Sequence, residues 1–121
     1  MITDTFPCPC CGHKVFPEPP GSYAFCPICQ WQDDISQLRF PRTRGANRVS
    51  LIEAQRNYAA FGASEERRLA RVRPTQADEY LDPQWRLLDL NIDQIEEAIT
   101  GTDYGPGFPS DPTLLYYWRY D

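Results

Sequence analysis

Apolar residues in this chain fall in short runs broken by turn residues, with helical spacing in only a few stretches. Lys14-Val15-Phe16 and Tyr23-Ala24-Phe25 read as two short strands joined by the turn-dense Pro17-Glu18-Pro19-Pro20-Gly21-Ser22. Residues 31–47 are irregular, punctuated by Pro41 and Gly45. Ser50-Leu51-Ile52-Glu53 spells a capping box, in which the Ser hydroxyl and the Glu carboxylate satisfy each other's orphan amides. A helix is predicted from Leu51 to Phe61, burying Leu51, Ala54, Tyr58 and Phe61, with Gly62 as its left-handed stop. A second short helix, Glu65 to Val72, has acids early and arginines late, as the helix dipole favours, and Pro74 ends it.

Asp82-Pro83 is another start signal. After it Trp85, Leu88, Ile92, Ile95 and Ile99 recur at spacings of three and four, which predicts one amphipathic helix from Pro83 to Thr100, stopped by Gly101. A Gly/Pro loop over 101–112 leads to Leu114-Leu115-Tyr116-Tyr117-Trp118, read as an aromatic strand added to a sheet. The fold class expected is α+β. An N-terminal zinc ribbon over 1–38 precedes a helical body over 39–121, the two packed as one unit.

The ribbon follows from the cysteines. All five lie in the first quarter of the 121 residues, and four form two C-P-x-C pairs separated by fourteen residues. A tight turn with Cys at its first and fourth positions offers two thiolates to one ion, and zinc takes four such ligands in a tetrahedron. The sequence therefore assigns Cys8, Cys11, Cys26 and Cys29 to one structural zinc ion. Pro9 and Pro27 pre-set the φ that such turns need. Gly12 supplies a left-handed residue after the first pair, and Gln30 holds the matching place after the second. Cys10 is read as a spare solvent-facing thiol, and His13 as a neighbour or surface residue. A rubredoxin-like iron site uses the same four-cysteine arrangement and stays open as an alternative metal.

Charge is distributed unevenly. The net −5 conceals a segment over 39–73, where nine arginines face three glutamates for about +6, and an acidic segment over 74–121 of about −8. Either the two neutralise each other within one fold, or one charged face stays open for a partner. No basic start with a long apolar run marks a signal peptide, and no apolar stretch is long enough to span a bilayer. A cytoplasmic protein with reduced thiols is expected.

From Pro7 through Arg73 the chain resembles the bacterial cysteine-rich CPCC family. The resemblance is carried by CPCCG at 8–12, PPGSY at 19–23, CPICQWQDD at 26–34 and GANRVSLIEAQRNYAAFGASEERR at 45–68. Gln32 stands where the family would place an acid before Asp33-Asp34. Beyond residue 74 the match is loose, around Asp82-Pro83-Gln84-Trp85. The resemblance implies a small cytoplasmic zinc-ribbon protein, and for some members an immunity role against a toxin encoded alongside.

An enzyme is not expected. A single histidine argues against His-rich metal nucleases and Ser-His-Asp chemistry, and no glycine-rich phosphate cradle is present. The leading expectation is an immunity protein that blocks a cationic toxin by direct binding. Asp103, Tyr104, Phe108, Asp111, Tyr117 and Trp118 are the candidate contact residues, aromatic anchors beside acids. The alternatives are a nucleic-acid-binding ribbon using the arginine-rich 39–73, which a sequence pI near 4.8 disfavours, and an iron electron carrier.

Overall fold

The computed structural model describes residues 5–99, 101 and 107–119. Strands β1 (Phe6–Pro7) and β2 (Lys14–Phe16) pair antiparallel, Phe6 with Phe16 and Pro7 with Lys14, with a register slip between the two pairs. This is not the hairpin expected from the sequence. Residues 23–25 do not pair with 14–16, and Tyr23 lies at a left-handed φ of 61°, which interrupts a strand. Pro17, Pro19 and Pro20 carry no N–H to extend the ladder. Instead the 23–25 segment turns back on its own knuckle. Tyr23 N–H donates to Asp33 O, Asp33 N–H donates to Ala24 O, and Phe25 bridges Gln32. Each Cys pair is thus the turn of its own small hairpin.

Helix α1 (Ile35–Arg39) is capped by Asp34, whose carboxylate accepts from Ser36 N–H and also from Ala46 N–H. Helix α2 (Leu51–Phe61) forms with the capping box and with Gly62 at φ 86°, as read from the sequence. Its inward face differs, however. Leu51, Ala54 and Gln55 are buried, whereas Phe61 is exposed. The predicted helix over 65–72 appears as a 3-10 turn, Glu66–Arg71, whose preceding residue Glu65 makes no side-chain cap.

Beyond residue 74 the two largest expectations fail. Of the predicted helix Pro83–Thr100, the described residues form turns and irregular chain, with Ile92 at 66% exposure and Ile99 at 69%. Aspartates capture the amides a helix would need: Asp82 accepts from Gln84 N–H, Asp89 from Asn91 N–H, and Asp93 from Asp89 N–H. Leu88 N–H is taken by Gln55 Oε1. The aromatic strand is likewise absent. Asp111 caps a 3-10 turn, Pro112–Leu115, and Tyr117–Arg119 forms another, because Asp-Pro at 111–112 pre-organises a turn start.

One core cluster runs from the cysteines through Phe16, Ile28, Trp31, Leu38, Leu51 and Ala54 to Tyr116 and Trp118. The basic and acidic segments meet as well, through Arg39–Glu96, Arg42–Glu97 and Arg73–Glu79 ion pairs. Among the described residues no helix is long and apolar enough to cross a membrane.

Candidate metal centre

The two knuckles share one backbone plan. Cys8 N–H donates to His13 O at 2.9 Å and Gly12 N–H to Cys8 O at 2.7 Å. In the second knuckle Cys26 N–H donates to Trp31 O at 2.8 Å and Gln30 N–H to Cys26 O at 2.7 Å. Both turns close on a left-handed residue, Gly12 at φ 81° and Gln30 at φ 68°. That conformation is free for glycine and strained for glutamine. Gln30 offsets part of the strain by donating its side-chain amide to Cys26 O.

This repeat aims four sulfurs at one point. The Sγ atoms of Cys8, Cys11, Cys26 and Cys29 all lie within 4.8 Å of one another, and all four residues are buried. Cys8 Sγ is 3.6 Å from Cys29 Sγ, and Cys11 Sγ is 3.8 Å from Cys26 Sγ. A tetrahedron with metal–sulfur bonds of about 2.3 Å has sulfur–sulfur edges of about 3.8 Å. The spacing fits an ion at the centre, and all five cysteines are free thiols.

The electrostatics point the same way. Burial pushes the Cys8 and Cys29 thiols well above their ordinary value. Burial also opposes ionisation of Cys26, but hydrogen bonds from Cys11, Cys29 and Cys8 outweigh it and hold that thiol well below its ordinary value. Burial thus disfavours charge on Cys8 and Cys29, and a divalent cation at the centre would offset that cost. The nearby Tyr58 hydroxyl is pushed up to about 12, first by burial and then by the charge of Cys11 and Cys29.

A cysteine-rich CPCC profile matches residues 6–79, a span holding both knuckles, α1 and α2. The chain belongs to the cysteine-rich CPCC family. A search among curated proteins finds no match. The second C of the family's CPCC signature, Cys10, lies outside the four-sulfur group. It is not the solvent-facing thiol expected from the sequence, because it is 0% exposed within the core cluster, where burial raises its pKa. Knuckle position x faces inward here because Trp85 and Gln55 cover that turn, both donating to Pro9 O, at 3.1 and 3.0 Å. His13 is held away from the sulfurs by a bond between its Nδ1 and Glu79 O.

None of the residues that brace the cage was assigned that role from the sequence; Asp82 and Trp85 were read as a helix start and part of its apolar stripe. On the first knuckle, Asp82 N–H donates to Gly12 O and Lys14 N–H to Tyr80 O, while the Trp85 ring covers Gly12 so closely that a Cβ there would meet Cδ2 at 2.4 Å. On the second, Ser64 N–H donates to Cys29 O, Arg73 N–H to Pro27 O, and the Arg68 guanidinium to Gln30 O. Asn47, fully buried, accepts from Gln32 N–H and Arg68 and donates to Gln32 O and Gln37 Oε1. Gln55 carried a findable signal, a polar residue beside Leu51 and Ala54 on a helix whose apolar face is plain. Asn47 carried none, since it sits in an irregular stretch.

The four candidate contact residues that lie among the described residues do not share one acidic-aromatic surface. Trp118 is 5% exposed, stacks on Tyr116 at 4.6 Å and donates to Asp82, so it belongs to the core. Tyr117 is half-buried, its hydroxyl donating to Arg86 O and receiving from Gln55. Phe108 lies under the Arg39 guanidinium, and the exposed Asp111 caps its own turn. Asp103 and Tyr104 lie outside the described residues.

Proposed function

We propose that this chain is a non-enzymatic protein-interaction module stapled by one structural zinc ion on Cys8, Cys11, Cys26 and Cys29. The observation that carries the metal reading is the set of four buried thiols at tetrahedral spacing. Four thiolates close the coordination shell, so such a zinc has no open position for substrate or water and serves as a fold staple. Zinc rather than iron is favoured by its abundance in closed four-cysteine structural sites. Metal analysis of the purified chain tests this: one zinc in colourless protein is expected, and red, iron-containing protein would replace the reading.

The concrete form we propose is an immunity protein of the cytoplasm that binds a bacterial toxin domain directly. Its support is the family resemblance, together with apolar surface left uncovered at Leu87, Leu90 and Ile92. The internal pairing of basic and acidic segments argues against an open cationic face for nucleic acid. Co-expression with the product of the adjacent gene tests the reading. A stable complex that protects cells is expected, and the absence of any complex overturns it.

A further inference from the structure

Helix α2 buries Leu51, Ala54 and Gln55, and around Gln55 it sets Ile52, Arg56, Ala59 and Ala60, which are less covered. These residues and Leu87, Leu88 and Leu90 line an open groove of about 450 Å³. Leu87 and Leu90 stand about half exposed, at 52% and 47%. Ala59 and Ala60 add no bulk to the helix side of the groove, so another backbone can approach it closely. Of its two polar lining residues, Gln55 is committed to Pro9 O, the Tyr117 hydroxyl and Leu88 N–H, and Arg56 is exposed. The groove therefore offers apolar contact with little hydrogen bonding of its own.

Its open charge is positive. Arg56 lines both this groove and the adjoining depression of Arg42, Ser50, Ile52, Glu53 and Leu90, and has no ion-pair partner among the described residues. In that depression Glu53 is engaged by Ser50 N–H in the capping box, and Arg42 faces Glu97 at 3.7 Å. Apolar walls with an unpaired guanidinium at the edge match a segment carrying apolar anchors on one face and a carboxylate beside them.

We propose that the groove between α2 and Leu87–Leu90 receives an amphipathic helical segment of a partner protein, with leucine-type anchors and a carboxylate for Arg56. This deepens the protein-binding reading and rests on it. The charge concerned is that of the docked segment and is independent of the partner's net charge.

The probe is a fluorescein-labelled synthetic helix with Leu at positions i, i+3 and i+7 and Glu on its flanks, titrated into the full zinc-loaded chain. Saturable binding with amide shifts confined to 52–60 and 87–90 is expected. Affinity should fall about tenfold or more when Lys replaces Glu in the probe, and likewise in Arg56→Glu and Ala59→Arg variants. Ala59 and Arg56 are exposed, so both variants should keep the parent's zinc content and melting temperature. Absent binding, shifts elsewhere, or equal affinity for the Lys probe overturns the proposal. So does self-association that Ala59→Arg abolishes, which would assign the groove to a second copy. Adjacent-gene product that binds parent and Ala59→Arg alike removes the groove but leaves the protein-binding reading. If that product fails to bind while the Glu probe maps to the groove, the toxin reading falls and the groove stands.

Discussion

The two knuckles have the same backbone hydrogen bonds but are braced by different parts of the chain. The first is held chiefly by the C-terminal segment: Tyr80, Asp82 and Trp85 reach back over Gly12, Lys14 and Pro9, and Gln55 of α2 joins them at Pro9 O. The second is held by the middle of the chain, through Ser64, Arg68, Arg73 and Asn47. The first knuckle uses glycine at its left-handed position and fills the space above it with an indole ring. The second uses glutamine and surrounds it with polar braces. A loop-rich chain is thus gathered around one cage by the outward carbonyls of two turns, one turn for each half of the molecule. The sulfurs set the centre, and the carbonyls on the far side of each turn recruit everything else.

The largest effect should come from removing what the knuckles share. Chelation, or Cys26→Ser, is expected to unfold both halves together, since structural zinc contributes on the order of 10 kcal/mol to such folds. Far-UV and near-UV circular dichroism should collapse at the same chelator concentration. Survival of one half's signal would separate the knuckles. The metal step should also depend on pH in a fixed direction. Burial holds the Cys8 and Cys29 thiols protonated at neutral pH in the empty cage, so loading releases protons. Affinity should rise as pH rises and fall toward acid, and an indicator dye reads the protons directly.

Gly12→Ala comes next, because its Cβ would meet Trp85 at 2.4 Å while φ stays at 81°. Overpacking and left-handed strain together should cost about 3 kcal/mol, read as a lower denaturation midpoint. Asn47→Ala should cost about 2 kcal/mol, since it strips partners from Arg68 and from both backbone groups of Gln32. Gln55→Ala should cost less, about 1 kcal/mol, because Trp85 Nε1 still serves Pro9 O. Equal losses would deny the asymmetry between the braces. The smallest effect should be a gain: Gln30→Gly relieves φ 68° and is expected to stabilise by about 0.5 kcal/mol.

What could be read from the sequence divides along the same line. The grouping of the four cysteines, the capping box of α2 and its Gly62 stop were legible because each depends on residues a few positions apart, where turn and cap chemistry decide the outcome. The hairpin was misassigned because both strand segments do pair, but each pairs across its own knuckle, and Tyr23 takes a backbone conformation that its residue type does not announce. The stripe from Trp85 to Ile99 promised a helix. Trp85 and Leu88 are instead pinned individually to Pro9 and Gln55, and the intervening aspartates close local turns. Periodicity assumes that an element packs as a whole, and here single residues are claimed one at a time by the first knuckle and α2. Cys10 was misplaced for the same reason, because Gln55 and Trp85, which cover its turn by donating to Pro9 O, lie 46 and 76 residues from that proline.

X-ray absorption at the zinc edge of the purified chain tests the shared cage most directly. One zinc per chain, with four sulfur neighbours at about 2.3 Å and no lighter atom in the shell, is the expected result. Folded protein that carries no metal, or a zinc shell completed by nitrogen or oxygen, would contradict it.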